Sequence, residues 1–253
     1  MPLLEVEDVT VRFGGIVALD GLSFDIEEGH ICGLIGPNGA GKTTMFNVVS
    51  RIYQPTRGSV RFRGQELLNV PAHGIAKLGI ARTFQNLALF PTMTLLENVM
   101  VGAHSLGRIG FGRAITRIGA ARDNRRTRDH AGDLLKQLGL GALAFNVAAG
   151  LPFGTLKRLE IARALAADPK FLLLDEPAAG LPHGEVDGLA ETIRDIRNQF
   201  DLTVLLVEHH MSMVMGISDR IVVMEFGRKI ADGTPKEIAS DKRVIEAYLG
   251  APA

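Results

Sequence analysis

Apolar residues along this chain recur with two different periods, and the switches between them outline its elements. Residues 3–13 alternate apolar and polar as a strand does, with Val6, Val9, Val11 and Phe13 as core positions. Gly14-Gly15 reads as a turn, 16–19 resumes the strand pattern, and 22–26 is a further short strand ending at Glu28-Gly29. SVRFR at 59–63 is an edge strand after a turn over 54–58. These short alternating strands predict a small antiparallel sheet packed against something larger. Three other runs are apolar throughout: the stretch before Gly36, FLLL at 171–174 and TVLLV at 203–207. Such runs belong to strands covered on both faces.

Between them the period lengthens to that of a helix. Helices are predicted over about 43–50, over 92–103, over 131–140 with Leu134, Leu135 and Leu138 on one side, over 151–167 and over 184–200. Thr94 three residues before Glu97 reads as a capping box, and Pro152 suits a first helical turn. The tail adds a strand at 220–224, a turn at 225–228, a strand near 229–231 and a last helix over 235–249. Strand, helix, strand is the rhythm of a parallel sheet. The pattern therefore predicts an α/β fold with a mixed, mainly parallel core, a small antiparallel β part and an inserted helical part.

Composition narrows the field only slightly. The chain has 253 residues, enough for a sizeable core, with 28 basic and 28 acidic side chains, so no global field favours nucleic acid or an anionic surface. The arginine-rich stretch 104–130 (Arg108, Arg113, Arg117, Arg122, Arg125, Arg126 and Arg128 against Asp123 and Asp129) reads as a solvated helical face. Contact with a partner or with lipid headgroups is the alternative for it. Cys32 is the one cysteine, so no internal disulfide forms, and its place in an apolar strand makes it a small core residue. The N-terminus lacks the basic-then-apolar design of a signal peptide, and no apolar run nears the roughly 20 residues of a membrane span. The expectation is a soluble cytoplasmic protein whose membrane role, if any, comes through partners.

Chemistry enters at residues 36–44, GPNGAGKTT. Gly36, Gly41, Lys42 and Thr43 satisfy G-x-x-x-x-G-K-[ST], a phosphate-binding loop between a strand and a helix. Its glycines let backbone N–H groups turn inward on an anion, and the helix N-terminus adds partial positive charge. In such a loop the lysine reaches the outer phosphates and the threonine hydroxyl ligates Mg²⁺. Far downstream, FLLL delivers Asp175 and Glu176 at its C-terminal end, the edge of a parallel sheet where ligands bind. Asp175 suits a metal and Glu176 a water placed for attack on the terminal phosphate. Two adjacent carboxylates at a buried strand end are otherwise costly.

With these motifs in place the chain resembles the ATP-binding cassette ATPases over essentially its whole length. Gln85, the segment 151–165, FLLLDEP at 171–177 and His209 occur in that family's order and approximate spacing. The resemblance implies a P-loop NTPase core that binds ATP and Mg²⁺. It divides the single cassette into a nucleotide-binding core with antiparallel part at 1–85, a helical and signature subdomain at 86–167, a second core part at 168–235 and a C-terminal helix at 236–253. It implies that Phe13 stacks on adenine and that Gly36, Pro37, Asn38, Gly39, Ala40, Gly41, Lys42, Thr43 and Thr44 cradle the phosphates. It also implies that Gln85 joins the metal, held with Thr43 and Asp175, to the helical part, and that His209 contacts the γ-phosphate beside Glu176. The family's signature is usually LSGGQ. Here Leu151, Pro152, Phe153, Gly154 and Thr155 stand in its place, without the serine hydroxyl, and AAGLP at 178–182 lacks the usual aspartate. Gly154 and the helix N-terminus remain for backbone anion binding.

These departures, with PAAGL after the carboxylates, the arginine-rich insert and the ending VMGISDRI…GTPKEI…VIEAYLG, resemble one subgroup, the ATPases of branched-chain (hydrophobic) amino acid importers. The implied partners are membrane permease subunits docked on residues of about 86–150, a second cassette in a homo- or heterodimer and, indirectly, an external solute-binding protein, with no nucleic acid. The implied place is the cytoplasmic face of the inner membrane. Alternatives are an ATPase of lipopolysaccharide export or of an amide/urea-type importer, a non-transport cassette acting on nucleic acid, and a P-loop kinase.

Overall fold

The computed structural model describes residues 2–83, 87–103 and 120–249. Two long strands, β1 (Pro2–Phe13) and β2 (Ile16–Glu27), open the chain as an antiparallel hairpin, and β4 (Arg57–Phe62) and β5 (Gln65–Glu66) extend it into a sheet of order β2-β1-β4-β5. The second sheet has the order β10-β9-β3-β8-β7-β6. Its members are β3 (Ile31–Ile35), β6 (Ile80–Arg82), β7 (Phe171–Asp175), β8 (Thr203–Val207), β9 (Arg220–Glu225) and β10 (Arg228–Gly233). All its pairings are parallel except β9 with β10. The alternating and the uniformly apolar segments thus separate into the antiparallel and parallel sheets that their patterns predict.

The central parallel strands β3, β7 and β8 are buried along their whole length, and the two faces of β7 and β8 meet different cores. Phe171 and Leu173 of β7, and Leu205 and Val207 of β8, join the core shared with the antiparallel sheet. Helix α1 (Lys42–Val49) packs into that core through Met45, Phe46, Val48 and Val49. Leu172 and Leu174, and Val204 and Leu206, point the other way, into a helical core. That core gathers α2 (Leu95–Gly102), α3 (Ala120–Gln137), α4 (Phe153–Leu165), α5 (His183–Phe200) and part of α6 (Met211–Ile217). A third, small core joins Ile35, Ile221 and Val223 to α7 (Pro235–Ser240) and α8 (Lys242–Leu249) through Ile238 and Val244.

Local signals read from the sequence recur as geometry. The Thr94 hydroxyl accepts from the Glu97 N–H at 3.2 Å while Glu97 Oε2 accepts from the Thr94 N–H at 2.8 Å, closing the capping box on α2. Pro152 is the N-cap of α4 and lies just outside its first turn. The single last helix expected over 235–249 is two helices. Asp241, in an extended conformation, ends α7, and its carboxylate accepts from the Arg243 N–H at 2.9 Å, which starts a new helix. The basic stretch is described only from residue 120; its side chains over 124–130 are mostly exposed, as a solvated face requires, and Arg128 lies over the Phe145 ring.

Candidate functional site

Three neighbouring parallel strands set the site. In the order β3, β8, β7, the register pairs Cys32 with Leu205 and Asp175 with Val207, so all three chains leave the sheet at the same edge. The segments that leave are 36–44, 208–210 and 175–183. Their convergence is a consequence of strand order, and strand order is invisible in a linear motif.

The loop at 36–44 needs its glycines. A Cβ on Gly36 (φ +152°) would lie 2.1 Å from the Met224 carbonyl oxygen, and one on Gly41 (φ +101°), the N-cap of α1, 2.6 Å from that of Ala18. Pro37 is half-buried, Asn38 and Gly39 are exposed, and Ala40 is buried, tied to the Gly227 N–H at 3.0 Å. Lys42 folds back so that Nζ donates to the carbonyls of Gly36 (2.6 Å) and Pro37 (2.9 Å). Desolvation pushes its ammonium below the ordinary lysine range, while Glu176 and Asp175 push it back up. Thr43 is exposed and Thr44 half-buried on the first turn of α1. The donors here are backbone N–H groups, a helix N-terminus and one ammonium, a set suited to polyphosphate.

Asp175 is buried, and its Oδ2 accepts from Arg82 at 2.8 Å. That arginine comes from the end of β6, also donates to Asn47 (2.7 Å) and Ser50 (3.2 Å) of the α1 region, and lies over the Phe46 ring. Glu176, in a left-handed conformation (φ +48°), presents Oε1 to His209 Nε2 at 2.7 Å. Between them, Glu208 is buried and receives hydrogen bonds from both the 178 turn and the His209–His210 segment.

The remaining expected residues lie around this edge. Phe13, at the end of β1, is 45% exposed and meets the Tyr53 ring edge-on at 5.0 Å. Gln85 falls outside the described residues. Leu151 is half-buried, Pro152 and Phe153 are exposed, Gly154 is half-buried and Thr155 is buried. Gly154 faces Glu185 of α5 so closely that a Cβ would meet Glu185 Oε2 at 2.2 Å, and Gly180 faces the Phe153 ring. Among the described residues no hydrogen bond or ion pair links 151–155 to 36–44.

Sequence reasoning missed Arg82, Glu208, Tyr53 and Tyr248. Burial pushes the Tyr248 phenol up, against a hydrogen bond from the Gly36 backbone that pulls it down. Signals existed for two of them: Arg82 is the charged residue that closes a short apolar run, and Glu208 the charge that follows directly on TVLLV. A charged residue set against a wholly apolar strand has to find partners.

Comparison with known proteins agrees with this geometry. Residues 19–179 match the family described as ABC transporter, and residues 228–253 match the branched-chain amino acid ATP-binding cassette transporter family. The chain is 44% identical over 250 residues to the high-affinity branched-chain amino acid transport ATP-binding protein BraF of Pseudomonas aeruginosa, covering 98% of each. It is 43% identical, with the same coverage, to LivG of Escherichia coli, which carries the same description. Among solved structures, the ADP conformation of MJ1267, an ATP-binding cassette of an ABC transporter, superposes with a TM-score of 0.85 at 30% identity, covering 99% of this chain and 100% of that one. The chain belongs to the ABC transporter family, as one of its ATP-hydrolysing cassettes.

Proposed function

We propose that this ATPase powers import of branched-chain or other hydrophobic amino acids, with Glu176 and His209 as the hydrolytic pair. The observation that carries the site reading is the 2.7 Å contact between Glu176 Oε1 and His209 Nε2, at the ends of β7 and β8, which follow in order beside β3, the strand that feeds the phosphate loop. Glu176 Oε1 is the base that takes a proton from the attacking water. His209 orients that carboxylate and, exposed beside it, is free to meet the γ-phosphate. Lys42 carries its charge across the mouth of the loop, where it can pass from the Gly36 and Pro37 carbonyls to phosphate oxygens. Phe13 offers its exposed ring to the adenine.

The Thr43 hydroxyl and the Asp175 carboxylate are hard oxygen donors of the kind Mg²⁺ takes, so the residues present fit that ion, with Gln85 as a further ligand. Held by these side chains, the ion would supply charge neutralisation at the phosphate oxygens. Until then Arg82 supplies the countercharge to Asp175.

The separation of 151–155 from 36–44 within one chain supports a head-to-tail pair of cassettes, each segment completing the partner's nucleotide site. The N-terminus of α4, capped by Pro152 without a side-chain hydrogen bond, keeps backbone N–H groups for that purpose. The partner cassette is a second copy or a similar chain, and the helical part docks on permease subunits fed by an external solute-binding protein. Among the described residues no helix is long and apolar enough to cross a membrane. Docking on those subunits would hold the chain at the cytoplasmic face. Amino acid selectivity rests on the resemblance to BraF and LivG.

The site is tested by Glu176→Gln, which is expected to keep ATP affinity and to lower turnover by about 10²–10⁴-fold. Near-parental hydrolysis would sink the assignment. Lys42→Ala should lose nucleotide affinity. Uptake of labelled leucine in cells lacking the chain tests the substrate class, and undiminished uptake counts against it.

A further inference from the structure

Glu208 has no role in the reading above, yet its surroundings are the most constrained of any carboxylate near the site. It follows directly on the five buried residues of β8 and is itself 1% exposed. Oε1 accepts from the Ala178 N–H at 2.7 Å; Oε2 accepts from the N–H groups of His209 (2.7 Å) and His210 (3.0 Å) and meets His210 Nδ1 at 3.1 Å. Three backbone donors and one ring nitrogen therefore converge on two oxygens. A carboxylate, being an acceptor at both atoms, is the side chain that can serve them all.

The two backbone segments it joins are the ones that carry the hydrolytic pair. Ala178 lies two residues beyond Glu176, whose own N–H bonds to the Val207 carbonyl at 2.8 Å. His209 is bound to Glu208 by its backbone and to Glu176 by its ring. Glu176 sits in the left-handed region, a strained conformation for a non-glycine residue that surrounding contacts must hold. The constraint continues outward: the His210 ring held by Glu208 stands edge-on to His183, the first residue of α5, with centroids 6.0 Å apart. We propose that Glu208 is a positioning residue for ATP hydrolysis, its buried carboxylate clamping the 176–178 turn to the His209 backbone so that Glu176 and His209 meet in one geometry. Because it binds through N–H groups, it does this without a cation that would compete for Glu176 or for phosphate.

This inference rests on the hydrolytic roles given to Glu176 and His209, and the experiment separates the two. Glu208→Gln keeps size but offers one acceptor oxygen and one NH₂ group, so it cannot accept from both segments. In the full chain it is expected to bind a fluorescent ATP analogue within about twofold of the parent. Its kcat is expected to fall about 10- to 100-fold, the scale of a small misplacement of reacting groups. Added to His209→Ala it should cause no further loss, since it acts through that residue. A kcat within threefold of the parent overturns the proposal. So does a loss that multiplies with His209→Ala, or a kcat loss matched by an equal loss of nucleotide affinity, as a purely structural role would give. Should Glu208→Gln not fold, Glu208→Asp, which keeps the charge but shortens its reach, is held to the same outcomes. Glu176→Gln is the control. If it hydrolyses at the parental rate the site reading fails, and this inference with it; if it is inactive while Glu208→Gln is parental, this inference alone fails.

Discussion

Replacing Arg82 by methionine removes the cation from a buried pair and leaves the Asp175 carboxylate, 4% exposed in its side chain, facing an apolar neighbour. Methionine keeps much of the length and the contact over Phe46, so the packing loss is small and the electrostatic one dominates. Asn47 and Ser50 are half-buried and can turn to water. Breaking a buried pair from one side costs about 3–5 kcal/mol, because the remaining charge is stranded. For a chain of this size each kcal/mol moves the melting temperature by about 2–4 °C, giving an expected fall of about 6–20 °C. The assay is thermal unfolding by circular dichroism in chelator, without nucleotide. Asp175→Asn alone should cost less, since Arg82 keeps Asn47 and Ser50 and the amide oxygen can still accept. The double variant should melt above Arg82→Met, having no stranded charge, with a coupling of about 0.5–3 kcal/mol. Adding Mg²⁺ should recover part of the Arg82→Met loss, as a divalent cation takes the place of the guanidinium. An Arg82→Met melt within about 2 °C of the parent, or a double variant that loses the plain sum of the singles, would refute the pairing as a determinant of stability.

Three further outcomes follow from single positions. Gly102→Ala places a Cβ 2.0 Å from the Arg163 carbonyl, so α2 must part from α4; a stability loss of at least about 1–3 kcal/mol is expected, and an unchanged melt refutes the close approach. Burial pushes the Cys32 thiol up to about 12, so a thiol reagent at pH 8 should label the unfolded chain and leave the folded chain unlabelled. With the folded value above the ordinary 9.0, this thiol's contribution is complete below pH 9 and is lost as pH rises toward 12. Burial alone would raise the Asp232 carboxyl, but hydrogen bonds from Arg220 and Lys229 outweigh it and hold the group below its ordinary 3.8. Its contribution is therefore present above that value and lost as pH falls below it. Asp232→Asn should flatten that part of the acid-unfolding curve, and an unaltered acid limb would count against the pair.

Much of this was legible because each buried strand is apolar along its length and each helix is periodic. FLLL, TVLLV and the stretch before Gly36 became neighbouring strands, and the phosphate loop and the two carboxylates emerged at one edge of them. What the pattern could not reveal is who stands next to whom. Arg82 and Asp175 are 93 positions apart and meet only because β6 lies beside β7. Glu208 reads as a polar strand end, and the hydrogen bond that makes it a clamp comes from a turn 30 residues away. The break at Asp241 was missed because one aspartate can either continue a helix or cap the next, and helical periodicity does not choose between them.

The alternation of side chains along β7 and β8 has a consequence of its own. Every second residue answers to the core shared with the antiparallel sheet and the rest answer to the helices, so one strand is a shared wall between two rooms. Pressure applied in either room moves the same wall, and with it the ends where Asp175, Glu176 and Glu208 are mounted. Information from a docked partner need not travel along a dedicated wire of residues. It has only to lean on a partition five residues long.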